Sequence, residues 1–185
     1  MAEVLTALWG MAAVAARILV ALVFMQAAVG KLRRWPLLEG VIANYRILPV
    51  ALARPAALAL PPIELCLGAA LLAFPDLSVR ATAAALLLVF ATAIGVNLLR
   101  GRREIDCGCF QSDLRQSLGW PLVARNLVLA ALMALPAPAQ PLSLALLVQA
   151  YSAGLVLFIA YGALETLAAI GPRLRAWAYL EAARP

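Results

Sequence analysis

The chain contains five apolar segments, each close to the length of a membrane-spanning helix. They cover about residues 5–29, 50–74, 81–99, 119–135 and 142–164. The hydrocarbon core of a bilayer is about 30 Å thick and needs roughly 20 apolar residues in a helix. Hydrophobic residues make up 65% of the chain and charged residues 13%, against about 45–50% and about 25% in a soluble domain. The sequence therefore predicts one all-α domain over residues 1–185, a polytopic membrane bundle.

The first segment carries Arg17 near its centre and still satisfies the energetics of insertion. Its ten Leu, Ile, Val and Phe residues contribute roughly −3 to −6 kcal/mol on the insertion scale. A central arginine raises the insertion free energy by about 2.5–3.5 kcal/mol. The apolar residues lower it by a similar or larger amount, so insertion of the segment is still allowed. The arginine and the absence of a basic stretch before the segment also argue against a cleaved signal peptide. We expect residues 5–29 to span the membrane.

Two other segments contain polar or helix-breaking residues. Segment 50–74 contains Glu64 and the pair Pro61-Pro62, so we expect its helix to break near the two prolines and to pack against its neighbours. Segment 119–135 contains Arg125 and is short, which predicts a short or tilted span. Segments 81–99 and 142–164 contain no charged residue and are predicted to span the membrane.

Residues 36–48 have the pattern of a helix that lies at the membrane surface. Pro36 suits the first position of a helix, and the apolar and aromatic positions recur at helical spacing at Trp35, Leu38, Ile42 and Tyr45. Tryptophan and tyrosine are enriched at membrane interfaces. An ordinary loop folded onto the bundle is the alternative reading.

The distribution of basic residues predicts the orientation. Twelve Lys and Arg residues flank one side of the five spans, and Arg80 alone flanks the other. Cytoplasmic loops carry the excess of basic residues. The N-terminus is therefore predicted outside, with the C-terminal tail and loop 100–118 on the cytoplasmic side and the lipid bilayer as the surrounding medium.

The chain has no histidine and three cysteines, which excludes several classes of function. Histidine-dependent catalysis and haem held by a proximal histidine are excluded, and three cysteines do not supply the four ligands of a zinc site. Three cysteines do not form a disulfide framework either. The net charge of +6 is only a weak sign of nucleic-acid binding, because little polar surface remains in so apolar a chain. No metal and no nucleic-acid partner are predicted.

Loop 100–118 holds a cysteine pair separated by one glycine, Cys107-Gly108-Cys109. A bridged pair has its Cα atoms about 4.4–6.8 Å apart, so a bridge at this spacing needs a tight turn, which Gly108 permits. Such a ring is strained and easily reduced, which favours a dithiol that exchanges its disulfide. The alternative is a pair of unbridged thiols without a redox role.

Charged residues around the pair have opposing effects on its ionisation. Arg102 and Arg103 favour the thiolate, whereas Glu104 and Asp106 oppose it.

Five polar residues fall within the spans: Arg17, Glu64, Asn97, Arg125 and Asn126. Ionisable groups at this depth pair with each other or line a pathway. We expect Glu64 to pair with Arg17 or Arg125, as a site near the cysteine loop or as a structural clasp. Cys66, two residues after Glu64, is expected to pack in the core rather than to relay disulfides.

Several short motifs occur in order along the chain: VGKLR at 29–33, IANYRILP at 42–49, LPPIELCLG at 60–68, NLLRGR at 97–102, IDCGCF at 105–110 and RN at 125–126. Together they resemble the MauE family of methylamine utilisation membrane proteins, within the broader DoxX-like group. The resemblance covers about residues 10–135, and the block around Cys107 is its strongest part. One position departs, since Gln111 follows Phe110 where the family usually has glycine.

The resemblance implies a four-helix DoxX-like core with a fifth, C-terminal transmembrane helix. It implies a maturation factor of the bacterial inner membrane for the methylamine dehydrogenase small subunit, working beside a thioredoxin-like, MauD-type partner. Cys107 and Cys109 would be the exchanging pair, and no other cofactor is identified. Because the substrate disulfides would be periplasmic while the charge rule places the loop at the cytoplasmic face, the side of access stays open.

Three functions remain as alternatives. The first is thiol–disulfide exchange through the cysteine pair. The second is a non-catalytic scaffold or chaperone for subunit assembly or export. The third, a quinone-linked oxidoreductase, rests only on analogy with other DoxX-like proteins.

Overall fold

The computed structural model describes residues 1–105, 118–136 and 142–182, and every regular element in these ranges is a helix. There are six: α1 (Ala2–Arg33), α2 (Trp35–Tyr45), α3 (Val50–Ala73), α4 (Leu77–Leu99), α5 (Trp120–Met133) and α6 (Leu144–Ala182). Four of them, α1, α3, α4 and α6, are long and apolar enough to cross a membrane, and α5 is a shorter apolar helix. The predicted class, a polytopic helical membrane protein, is confirmed.

Helix α1 is the centre of the bundle and packs against α3, α5 and α6. Helix α3 runs antiparallel to it, with Gly68 set against Ala21 and Met25. Helix α6 runs parallel to α1, with Gly154 set against Ile18. Glycines at these crossings let the backbones approach closely, as is common between membrane helices.

Helices α4 and α5 pack antiparallel against each other and complete the bundle. The loop end is the end where α1 and α4 finish and α3 and α5 begin. The far end is the opposite one, at Ala73, Leu77 and Met133. The main core cluster joins four helices through the buried side chains Leu19, Val20, Phe24, Leu71, Leu87, Leu129 and Met133.

A helix, α2, runs from Trp35 to Tyr45 where a helix was predicted over 36–48, so the loop alternative is wrong. Its place at the membrane surface stays a prediction. Its side chain Leu38 is buried, and the helix packs against α3. The helix ends because Arg46 adopts a left-handed conformation with φ 49°.

Helix α3 runs without interruption from Val50 to Ala73, so the expected break near Pro61-Pro62 is wrong. Each proline removes one backbone donor from the helix. Within a membrane bundle, packing and local backbone adjustment compensate for such losses. Pro61 is fully buried, which places it in that packed environment.

Helix α4 begins at Leu77, four residues before the predicted span, and so includes Arg80. The Arg80 side chain is buried and donates from Nε and Nη2 to the Met133 carbonyl oxygen, at 3.1 and 2.7 Å. The last carbonyl groups of a helix lack N–H donors within the helix. Arg80 supplies two N–H donors to one such carbonyl group at the end of α5.

Helices α1 and α6 are both longer than the spans predicted at 5–29 and 142–164. For α1 the extension takes in Lys31, whose charge is neutralised inside the bundle as described below. For α6 it takes in Glu165, which forms an ion pair with α5.

Candidate functional site

A cavity of about 420 Å³ lies inside the bundle and reaches all six helices. Its lining is almost wholly apolar, and most of it comes from α1, α3 and α4. Two tyrosines and four other polar residues also line it, namely Tyr45, Tyr161, Lys31, Glu64, Arg125 and Asn126. Ligand pockets in proteins have volumes of about 300–1,000 Å³ and this kind of lining, apolar with a few placed polar groups.

A buried ion pair between Lys31 and Glu64 forms the polar part of the cavity wall. The Lys31 Nζ atom donates to Glu64 Oε1 at 2.5 Å and to Oε2 at 2.8 Å. The side chains are 9% and 0% exposed, and Nζ also lies 5.4 Å from the centre of the Phe90 ring. Because isolated charges are strongly disfavoured away from water, each charge here requires the other.

Local helix geometry explains how Lys31 reaches this position from the last turn of α1. Side chains on a helix tilt toward its N-terminus, so the long lysine stem points back into the bundle. Glu64 stands on the buried face of α3, with Pro61 and Gly68 one turn to either side. The two side chains therefore meet between α1 and α3.

The partner of Glu64 was missed in the sequence because Lys31 follows the predicted end of the first span. One signal was available: Lys31 is the only lysine among 15 basic residues. The predicted alternative of Arg17 as partner is wrong. Arg17 lies about 21 Å from Lys31 along α1, and its buried Nη1 has no hydrogen-bond partner among the described residues.

Arg125 and Asn126, which lie in the fourth predicted span, both line the cavity. Arg125 Nη1 lies 3.2 Å from Glu165 Oε2, which ties α5 to α6. Asn126 is buried, and its Nδ2 donates to the Leu122 carbonyl oxygen at 2.8 Å.

Asn97 lies away from the cavity wall and organises the end of α4 instead. Its Nδ2 donates to the Ala93 carbonyl oxygen at 3.0 Å, and its Oδ1 accepts from Arg102 Nη1 at 3.1 Å. The Arg102 amide also donates to the Asn97 carbonyl oxygen, and Gly101, at φ +74°, provides the turn between them. Asn97 therefore fixes Arg102 at the start of the cysteine loop.

The cysteine loop is held at both of its ends. The Leu118 amide donates to the carbonyl oxygens of Arg103 and Ile105, at 3.1 and 3.3 Å. Asp106, Cys107, Gly108, Cys109 and Phe110 lie outside the described residues, so the predictions made for them stay predictions.

The ends of this loop pack against the cavity wall. Ile105 and Leu118 belong to an apolar cluster that includes Ile94 and Tyr45, and these last two residues also line the cavity. The segment that contains Cys107 and Cys109 therefore begins and ends beside the loop end of the cavity.

Cys66 is exposed on the surface of α3. It stands two residues after the buried Glu64, a separation of about 200° around a helix, so the two residues occupy opposite faces. The expectation that Cys66 packs in the core is wrong, and the alternative of a relay thiol is untested.

The cavity opens sideways between α3 and α4. Ile63 on α3 and Val89 on α4 both line it, yet they are 52% and 60% exposed on the outside of the bundle. Val89 lies near the middle of α4. This part of the opening is level with the middle of α4, and a second part lies at the loop end, where the lining residues Ile47 and Leu48 are 44% and 42% exposed.

These features define a class: a polytopic membrane protein whose helices enclose a ligand-sized apolar cavity, closed on one side by a buried ion pair. The family model described as "Methylamine utilisation protein MauE" matches residues 9–139. The chain belongs to this MauE family.

Three relatives, each named "Methylamine utilization protein MauE", show how far the similarity extends. The Paracoccus denitrificans protein is 51% identical over 120 residues, which is 64% of either chain and so slightly less than two thirds of that relative. The Paracoccus versutus protein is 42% identical over 164 residues, 86% of this chain and 88% of the relative. The Methylorubrum extorquens protein is 41% identical over 150 residues, 77% and 80% of the two chains. No solved structure matches the chain.

Proposed function

We propose that this protein serves methylamine utilisation as a thiol–disulfide exchange protein of the bacterial inner membrane, with Cys107 and Cys109 as the exchanging pair. Membership of the MauE family supports the metabolic role. The observation that carries the chemistry is the anchoring of the cysteine segment. Its two ends are joined by the hydrogen bonds of the Leu118 amide, and the glycine-spaced pair lies between these two ends in the sequence.

The exchange needs no reactant beyond the two proteins. A cysteine thiolate attacks one sulfur of a disulfide, and a mixed disulfide between the two proteins forms. The second cysteine of the attacking pair then attacks the mixed disulfide and releases the other protein as a dithiol. One protein gains the disulfide and the other is left with two thiols, so atoms and electrons balance. Arg102, which Asn97 holds at the start of the loop, contributes positive charge that favours the thiolate.

The partner in this proposal is a thioredoxin-like protein of the MauD type, and the protein that finally receives disulfides is the small subunit of methylamine dehydrogenase. The distribution of basic residues supports an outside N-terminus and a cytoplasmic C-terminus. By this rule the loop end of the bundle faces the cytoplasm, whereas the substrate disulfides are periplasmic, so alkylation of Cys107 and Cys109 by a membrane-impermeant reagent added to each side in turn tests from which face the pair is reached.

Replacement of both cysteines tests the proposal. In a methylotrophic host that lacks its own copy, the variant Cys107→Ser/Cys109→Ser is expected to abolish growth on methylamine and the accumulation of the dehydrogenase small subunit. Cys66→Ser is the matched control, since Cys66 is exposed on the surface of α3, and it is expected to support normal growth. Growth rate and immunoblots of the subunit are the measurements.

A second measurement separates exchange from scaffolding. The single variant Cys109→Ser is expected to trap a mixed disulfide that a non-reducing gel resolves and that reductant releases. If the double cysteine variant is present at normal level and still supports growth and subunit maturation, the protein acts as a scaffold and the exchange proposal fails.

A further inference from the structure

The position of the cavity opening restricts what can enter. Ile63 and Val89 border the opening, and both face outward from α3 and α4 near the middle of the span. Within a bilayer, a molecule that enters at this point comes from the hydrocarbon rather than from water, and one that enters at the loop end, beside Ile47 and Leu48, meets the same almost wholly apolar wall. The occupant is therefore lipid-soluble.

Two buried polar groups then restrict its chemistry. A lysine ammonium has three N–H donors, and the Lys31 ammonium uses two of them for Glu64 Oε1 and Oε2. The third has no hydrogen-bond partner among the described residues, although the ammonium lies 5.4 Å from the centre of the Phe90 ring. The Asn126 side-chain amide donates one of its two N–H groups to the Leu122 carbonyl oxygen. Both residues line the cavity and are more than nine-tenths buried, so the cavity offers two spare donors to oxygen atoms on an apolar skeleton.

Aromatic side chains favour a flat ring between these donors. Phe24 and Phe90 both line the cavity, and aromatic rings gain stability from offset or edge-to-face contact with another ring. A flat ring that carries two carbonyl oxygens matches all three features. Its apolar skeleton suits the lining, its oxygens accept hydrogen bonds from the spare donors, and its face or edge contacts the two phenylalanines.

The proposed cysteine chemistry requires an acceptor of this kind. When two thiols become a disulfide without a partner disulfide being consumed, they release two electrons and two protons. The cysteine segment begins and ends at Ile105 and Leu118, which pack against the cavity-lining residues Tyr45 and Ile94. An acceptor in the cavity is therefore next to the anchored ends of that segment.

We propose that the cavity binds a membrane quinone, which reoxidises the Cys107–Cys109 pair, and this step rests on the proposed thiol–disulfide function. Two S–H bonds break and one S–S bond forms, while the quinone takes both electrons and both protons and leaves as the quinol. The spare N–H of Lys31 stabilises the negative charge that develops on a quinone oxygen as electrons arrive. The two hydrogen bonds to Glu64 hold this lysine side chain in place.

Filling the cavity tests the proposal. Ala93 lines the cavity on α4 and Ala56 lines it on α3, and both are partly buried, so Ala93→Trp and Ala56→Trp are each expected to occupy the space of the ligand ring. Ala85→Trp is the matched control, because Ala85 is on the outer face of α4 and outside the cavity lining. The full chain is placed in phosphatidylcholine nanodiscs and titrated with decylubiquinone, with binding followed by competition against a radiolabelled photoreactive quinone.

Wild-type protein and Ala85→Trp are expected to bind decylubiquinone alike, and each cavity variant is expected to bind about tenfold or more weakly. Size-exclusion chromatography of all variants reports whether the fold is kept. The two cavity variants come from different helices, so one misfolded variant does not decide the result. Equal binding by a folded cavity variant and by Ala85→Trp overturns the proposal, and so does displacement of the quinone label by oleic acid at the same concentration, which indicates an acyl-chain site.

The double variant Cys107→Ser/Cys109→Ser separates this proposal from the one it rests on. It is expected to bind decylubiquinone like the wild type but to leave it unreduced. If quinone binding is intact while the cysteines prove dispensable for growth on methylamine, the thiol function fails and the quinone site stands. If the cysteines are required but no quinone binds in the cavity, the site proposal alone fails.

Discussion

Replacing Lys31 with methionine is expected to lower the free energy of unfolding by about 3–5 kcal/mol, the usual effect of leaving a buried charge without its partner. The Glu64 carboxylate has no exposed surface and accepts two hydrogen bonds from Lys31. Methionine keeps the length of the side chain and removes the charge. The measurement is thermal unfolding in detergent, followed by the loss of monomeric protein on size-exclusion chromatography.

Two further variants show whether the effect belongs to the ion pair. Arg33→Met removes an exposed positive charge from the same turn of α1 and is expected to change stability by less than about 0.5 kcal/mol. The double variant Lys31→Met/Glu64→Met replaces the pair with apolar groups and is expected to recover most of the loss. A Lys31→Met protein as stable as Arg33→Met would show that the pair does not hold the bundle together.

Replacing Gly68 with alanine is expected to destabilise the contact between α1 and α3 by about 1–3 kcal/mol, as overpacking does elsewhere. A Cβ at this position lies 2.7 Å from Met25 Cγ and 2.9 Å from the Ala21 carbonyl oxygen. The methionine can move, but the carbonyl belongs to the α1 backbone, so the two helices must separate. The same unfolding measurement detects the change.

Gly95→Ala is the control for this prediction. Nothing lies within 4 Å of a Cβ at Gly95, and alanine favours helix over glycine by about 1 kcal/mol, so this variant is expected to be as stable as the wild type or more so. Gly154→Ala repeats the test at the α1–α6 contact, where the Cβ lies 2.7 Å from Ile18 Cβ. Equal stability of all three glycine variants contradicts the close packing of these helices.

Sequence periodicity and length were enough to predict the helices, because apolar segments of this length and composition have few alternatives in a membrane. The boundaries were harder to predict wherever a charged residue stood near them. Arg80 and Lys31 were both taken as residues outside the spans, yet the structure buries each of them with a partner from another helix. A single segment does not reveal such partners.

The same reasoning explains which parts of the site could be predicted. Glu64, Arg125 and Asn126 were identified because a polar residue inside an apolar segment is conspicuous, and all three line the cavity. The cavity itself was not predicted, because it depends on the space left between α3 and α4 rather than on any motif. The unbroken α3 shows a related effect, since the packing around Pro61 outweighs the local tendency of proline to end a helix.

The shortness of α5 has a consequence for the surrounding lipid. A helix of 14 residues is about 21 Å long, about 9 Å less than the hydrocarbon thickness. Its residues Leu127 and Val128 are exposed on the outer surface, so acyl chains touch this flank directly. A hydrophobic surface shorter than the bilayer draws the two leaflets together around it. We therefore expect the bilayer to be thinner beside α5 than beside the longer helices of the bundle.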